Sequence, residues 1–224
     1  MFKFIKYFFY VAYHWNLNIA RVLLLQEIRG EKKYGINTSG ADELKNMEKR
    51  GIDISHATIY MPVSYGIIGE VFDHLKKPDS VVVPFRHFLD IGCGKGRAMC
   101  VAAAHGCQQV TGIDFSPELC TSANRNLALT KKHMPGLEYR VINNDAFYFE
   151  IPDGVDCIFL FNPFDEVIMH GVVDNIIRYT RKNQRKVTVI YVNPIHKDLF
   201  TGKGFPETYH SKKMKYLEVS VLEN

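Results

Sequence analysis

The chain reads as an α/β protein: an open, doubly wound parallel sheet of seven strands with an antiparallel edge strand, preceded by a helical N-terminal lid. Three observations point there. From about Val81 short apolar runs alternate with helical segments. Two of those runs, "CIFLF" and "VTVIYV", are apolar almost throughout, as strands covered on both faces of a parallel sheet are. The tail then carries two strand-like runs with no helix between them, which fits an antiparallel pair at the sheet edge.

Composition sets the outer bounds. At 224 residues, 46% apolar and 23% charged, the chain has room for one substantial globular domain and a smaller appendage. A formal charge of +4 permits an anionic partner without demanding one. Cys93, Cys100, Cys107, Cys120 and Cys157 are odd in number and never form Cys-x-x-Cys. That pattern argues against a disulfide framework or a metal site and for buried thiols in a reducing, cytoplasmic setting.

Taken in order, the N-terminal "MFKFIKYFFYVAYHWNLNIARVLLLQ" is broken by His14, Asn16, Asn18 and Arg21. A bilayer span needs roughly 20 unbroken apolar residues, so this is not one. Phe4, Phe8, Val11, Trp15, Ile19 and Val22 recur at intervals of three and four and predict one stripe of an amphipathic helix. The stripe is expected to pack on the protein's own core or on a second copy, as a homodimer contact. Membrane-surface contact is the alternative, because Lys3 and Lys6 flank the aromatics. Arg29 to Gly40 reads as a linker and Ala41 to Arg50 as helical. "YMPVSYGIIGEVFDHLKK" places Ile67, Ile68, Val71, Phe72 and Leu75 on one helical face before Pro78 stops it. Residues 1–80 are therefore expected to form a lid and residues 81–224 the main domain.

In that domain "FLDI", "VTGID", "EYRVIN", "CIFLF" and "VTVIYV" are the five parallel strand candidates, and "ETYHSKK" and "YLEVSVL" the final pair. The helices between them run from Gly96 to His105, from the Ser116-Pro117 start onward, and from about Glu166 to Arg181.

The segment "FLDIGCGKGR" spaces Gly92, Gly94 and Gly96 at every second position directly after the first strand. In an open parallel sheet that loop sits where ligands bind. Arg97 stands where a dinucleotide fold would want its third glycine, and Gly-Lys followed by Ser or Thr is absent, which excludes a phosphate-binding P-loop. Asp90 would face a phosphate unfavourably and a cation favourably. Asp114 ends the second strand about 20 residues on, where a carboxylate can accept from both hydroxyls of a ribose. Asn144-Asp145-Ala146 follows the third strand, where a carboxylate can accept from the exocyclic amine of a purine. The ligand so described is cationic at one end, with a ribose in the middle and adenine at the other. S-adenosylmethionine fits it; an NAD-dependent oxidoreductase fits Asp90 and Arg97 poorly.

The stretches "LDIGCGKGR", "GIDFSPEL" and "NNDAFYF" resemble the first three motifs of the class I S-adenosylmethionine-dependent methyltransferases, over roughly Val81 to the C-terminus. The resemblance implies a Rossmann-like sheet with a reversed last strand and S-adenosylmethionine as cofactor. It places Asp90, Gly92, Gly94 and Gly96 along the methionine and ribose, Asp114 with Phe115 at the ribose, and Asp145 with Ala146 at the adenine.

On the acceptor side, the fourth strand ends in "FNPF", Phe161 to Phe164. An Asn-Pro turn there can offer carbonyl acceptors to an amine awaiting methylation, and an aromatic can stack on a planar substrate. The turn resembles the Asn-Pro-Pro-aromatic motif of methyltransferases acting on base amines or glutamine amides, with one proline fewer. It also resembles, distantly, the corresponding stretch of the non-SET histone-lysine methyltransferases, in which Tyr60 would close over the methionine end. The whole pattern is most similar to small bacterial methyltransferase-like proteins of unassigned substrate. Asn162, Phe164 and Tyr60 are thus the catalytic candidates. Asp165, Glu166 and His196 are candidate bases, and the methyl acceptor is expected to be nitrogen on a protein side chain or small planar amine, with nucleic acid open. The Arg178–Lys186 basic cluster reads as a solvated face remote from the cleft. The alternative is a non-catalytic module that binds the donor or a partner on the same fold.

Overall fold

The computed structural model describes residues 2–39, 61–76, 83–161 and 164–224. The expected helix at 41–50, Tyr60, Pro78 and Asn162 lie outside the described residues. The helices are α1 (Phe2–His14), α2 (Leu17–Tyr34), α3 (Tyr65–Leu75), α4 (Arg97–Ala104), α5 (Pro117–His133), α6 (Glu166–Asn183) and α7 (Asp198–Thr201). The strands are β1 (His87–Ile91), β2 (Gln109–Asp114), β3 (Glu138–Asn143), β4 (Cys157–Phe161), β5 (Thr188–Val192), β6 (Glu207–Lys213) and β7 (Leu217–Glu223).

All seven strands form one sheet in the order β3-β2-β1-β4-β5-β7-β6. β1 to β5 run parallel to one another. β7 is the reversed strand, antiparallel to both β5 and β6, so it is inserted one place in from the edge that β6 occupies. The chain order turns back between β1 and β4, the switch point at which such sheets open a crevice beyond their strand ends.

The strand alternation sorts two cores. Phe88, Val110, Phe159, Ile190, Val219 and Val221 point to the face covered by α3, α4 and α5, where they meet Phe72, Met99 and Leu127. Leu89, Ile113, Ile158, Leu160, Val189 and Tyr191 point to the other face and pack on Met169, Val172, Val173 and Ile176 of α6. Helix α3 therefore belongs to the layer that covers the sheet, with Ile67, Ile68, Val71 and Phe72 buried as their spacing predicts. All five cysteines are buried and unpaired.

The N-terminal stretch differs from the single stripe and linker expected. It is a hairpin of two helices, broken at Trp15 and restarted by Asn16, whose side chain accepts from Ile19 N at 2.9 Å as an N-cap. α2 then runs through Arg29–Tyr34 and stops at Gly35 in the left-handed conformation (φ 65°). Its buried row is Ile19, Ala20, Leu23, Glu27 and Gly30. Val11 and Ile19 of the expected stripe are buried, and Tyr7 joins them. No helix among the described residues is long and apolar enough to cross a membrane.

Candidate functional site

The crevice is built first from backbone. Gly92, Gly94 and Gly96 all have positive φ (82°, 53° and 77°), a loop conformation that side chains with a Cβ resist. Gly96 is doubly constrained, because a Cβ there would sit 3.2 Å from Ala123 Cβ of α5. The loop is pinned to β2: Gly92 N and Cys93 N both donate to Ile113 O at 2.9 Å. Asn126 of α5 fastens its far side by donating to Lys95 O at 2.8 Å, while its carbonyl oxygen accepts from Asn37 N at 2.9 Å.

Two carboxylates are buried at this loop. Asp114 accepts from Gly94 N through Oδ2 at 2.8 Å and from Ser116 N through Oδ1 at 2.9 Å. Burial raises its pKa, and these two hydrogen bonds pull the other way. Asp90, 3% exposed, receives no hydrogen bond on its carboxylate from a described residue. Burial, and then the charge of Asp114, push its pKa well above the ordinary aspartate value. Two acids in one low-dielectric pocket, one of them lacking donors, form a place where a cation relieves an unfavourable arrangement.

Asp145 lies at the C-terminal end of β3, exposed, with Oδ1 accepting from Phe147 N at 2.8 Å. Ala146 beside it is buried, and Phe115 is half-buried after Asp114. The register pairs Asp90 with Gly112 and Asp114 with Asn143, so the ends of three neighbouring strands carry the glycine loop, Asp114 and Asp145 along one rim. Phe164 begins beyond β4 and packs half-buried against the α6-side core. Tyr60 and Asn162 lie outside the described residues. Among the candidate bases, Asp165 caps α6 by accepting from Ile168 N at 3.1 Å, Glu166 is exposed, and His196 is half-buried. Arg185 of the basic cluster lines a polar groove with Arg86 and His87 at the start of β1, the opposite end of the sheet from the glycine loop.

Arg97 has a role that its place after the glycines does not announce. Its guanidinium, 2% exposed, meets Glu27 of α2 in a bidentate pair at 2.5 and 2.6 Å. It also donates to Val63 O at 2.6 Å and to Thr38 Oγ1 at 2.8 Å, and lies 4.0 Å over the Tyr65 ring. Ser39 Oγ donates to Glu27, and Glu31 accepts from the backbone N–H of Thr38 and Ser39. A fully satisfied buried network therefore ties the N-terminal hairpin to the first turn after the glycine loop. The only signal for it in the sequence is Glu27 on the apolar row of α2.

Compared with known proteins, residues 88–183 match the model of a methyltransferase domain family. A methyltransferase domain thus occupies residues 88–183. The family's methyl donor is S-adenosylmethionine, and the crevice suits it: a cationic ligand answers the buried pair of acids, and Asp114 and Asp145 each keep unused acceptor capacity. Solved structures confirm the fold. The PH0226 protein of Pyrococcus horikoshii aligns with a TM-score of 0.50 at 16% identity, over 69% of this chain and 85% of that one. The yhhF protein of Escherichia coli aligns with a TM-score of 0.53 at 15% identity, over 73% and 90%. The StiE O-MT segment aligns with a TM-score of 0.54 at 10% identity, over 72% and 74%. No curated protein matches the chain's sequence. The matched part of the methyltransferase opens in β1 and closes with α6, so Glu27, Thr38, Ser39 and Tyr65, which enclose Arg97, come from outside it.

Proposed function

We propose that the methyltransferase binds S-adenosylmethionine across the ends of β1, β2 and β3 and moves its methyl group to a nitrogen acceptor. The observation that carries the binding site is the buried Asp90 carboxylate beside Asp114, under a glycine loop that exposes its backbone. Asp90 lies along the methionine and ribose part of the ligand and offers negative charge. Asp114 uses one lone pair on each oxygen for Gly94 and Ser116 and keeps the others for the ribose hydroxyls. Asp145 has its Oδ2 available for the exocyclic amine of adenine, with Phe115 and Ala146 as apolar neighbours.

Bound there, the cofactor supplies a methyl carbon already activated by its sulfonium. What remains for the protein is alignment and exclusion of water. We assign alignment to Asn162, whose carbonyl oxygen would accept from the incoming amine, and to Phe164, held as a fixed wall by its packing on the α6 side. The lid of residues 1–80, through Tyr60, would close the methionine end. The nitrogen preference rests on the likeness of "FNPF" to the turns of amine and amide methyltransferases.

Calorimetric titration tests the site. The expected result is binding of S-adenosylmethionine and of its product, S-adenosylhomocysteine, with a loss of about tenfold or more for Asp114→Ala, as removal of a charged hydrogen-bond acceptor implies. Asp90 adds a pH signature. Its raised pKa means that it is protonated at pH values where an ordinary aspartate, near pKa about 3.9, is ionised. The sulfonium prefers the ionised form, so affinity for the donor climbs as pH rises through that raised pKa and is flat above it. The neutral thioether of the product follows more weakly. Unchanged binding by Asp114→Ala would reject the site. Labelled donor incubated with cell extract separates transfer from mere binding, and the labelled product identifies the acceptor atom.

A further inference from the structure

The α1–α2 hairpin has a second apolar face that the protein's own core does not use. On α1, Tyr7 and Val11 face inward, while Ile5, Phe9 and Tyr13, spaced four apart, form a stripe on the outside. Phe9 is 65% and Tyr13 86% exposed. On α2 the outer row is Leu17, Arg21, Leu25, Ile28 and Lys32, each exposed. The β6–β7 turn adds to the same end of the molecule: the ring of Tyr216 lies 6.4 Å from that of Trp15, and Met214 and Tyr216 are exposed on either side of Lys215. Eight of the twelve large apolar side chains exposed among the described residues thus belong to the hairpin and this turn.

Among the described residues, the exposed charge on these two helices has one sign. α1 contains no acid. α2 contains two, of which Glu27 is buried on Arg97 and Glu31 is half-buried, turned to the backbone N–H groups of Thr38 and Ser39. Arg21, Arg29, Lys32 and Lys33 are exposed. A two-fold contact with a second copy would lay this face on itself, basic side chains against basic side chains with no exposed acid on either helix to answer them. An anionic lipid surface answers both properties, since aromatic and aliphatic side chains enter the headgroup boundary while Lys and Arg reach phosphates. We propose that the outer face of the α1–α2 hairpin, with the β6–β7 turn beside it, docks peripherally on an anionic membrane surface.

Co-sedimentation of the full chain with vesicles tests this. With phosphatidylcholine containing about 30% phosphatidylglycerol the protein is expected to pellet, with phosphatidylcholine alone to stay in the supernatant, and about 0.5 M salt is expected to release it. The double substitution Phe9→Ser with Tyr13→Ser, and separately Arg21→Glu with Lys32→Glu, should each weaken binding about tenfold or more. Because these side chains are exposed, thermal unfolding of both variants should match the wild type, which separates lost docking from lost folding. Equal binding to both vesicle types, or no binding to either, overturns the proposal. So does a concentration-dependent dimer, seen by sedimentation velocity and abolished by Phe9→Ser with Tyr13→Ser, since a second copy would then be the occupant.

Discussion

At the scale of single residues, Arg97 shows how a position can be read correctly as unusual and still have its partner missed. It stands where another nucleotide fold would place glycine, yet its charge is spent on Glu27, a residue 70 positions earlier in the chain. A buried pair of this kind costs much more to break than it contributes when whole, because removing one member leaves the other charged and without solvent. Glu27→Ala is therefore expected to lower unfolding free energy by about 3–5 kcal/mol, read from urea denaturation. Replacing both, Glu27→Leu with Arg97→Met, should recover most of that loss, because no charge is then stranded. A loss below about 1 kcal/mol for Glu27→Ala would mean that water screens the pair as it does a surface one.

At the scale of elements, legibility followed locality. The strands β1 to β5, the Ser116-Pro117 start of α5 and the buried face of α3 are written in neighbouring residues, by alternation, capping chemistry and helical spacing. The positions of the acids were legible for the same reason, since Asp90 and Asp114 fall at the ends of β1 and β2 and Asp145 just after β3. The continuation of α2 through Arg29–Tyr34 was not, because Gly30 and a run of charges look like a linker. Its reason is tertiary: a Cβ on Gly30 would lie 2.3 Å from Tyr65 Cδ2, so the absence of a side chain lets α2 approach α3. Tyr65 has little room to yield, stacked on Tyr34 at 5.7 Å, placed under Arg97 and hydrogen-bonded with Thr38 at 3.1 Å. In Gly30→Ala a gain of about 1 kcal/mol in helix propensity opposes an overpacking cost of about 1–3 kcal/mol. With Tyr65 held on three sides the cost should win. Thermal unfolding at a lower temperature than wild type is expected, and a higher one would show that the ring moves aside.

At the scale of the whole molecule, the question is whether the hairpin and the sheet unfold together. The hairpin's own cluster is small, essentially Tyr7, Val11, Ile19, Ala20 and Leu23, and a piece of fewer than about 40 residues seldom holds a fold by itself. It is joined to the sheet domain by the Glu27–Arg97 pair, the Gly30–Tyr65 contact and the packing of Leu217 against its cluster. Each of these joins buries groups that would be costly to expose singly, so the hairpin gains its order from the sheet domain. The single tryptophan, Trp15, sits at the bend between α1 and α2, and its fluorescence reports the hairpin and its contact with Tyr216 of the β6–β7 turn. Far-UV circular dichroism is weighted instead toward all helices, most of which flank the sheet. The two signals are expected to follow one urea transition with the same midpoint and slope, as a cooperative unit requires. A fluorescence change complete at lower urea than the dichroism change would show the hairpin leaving first, as a separate unit despite its buried ties to the glycine loop.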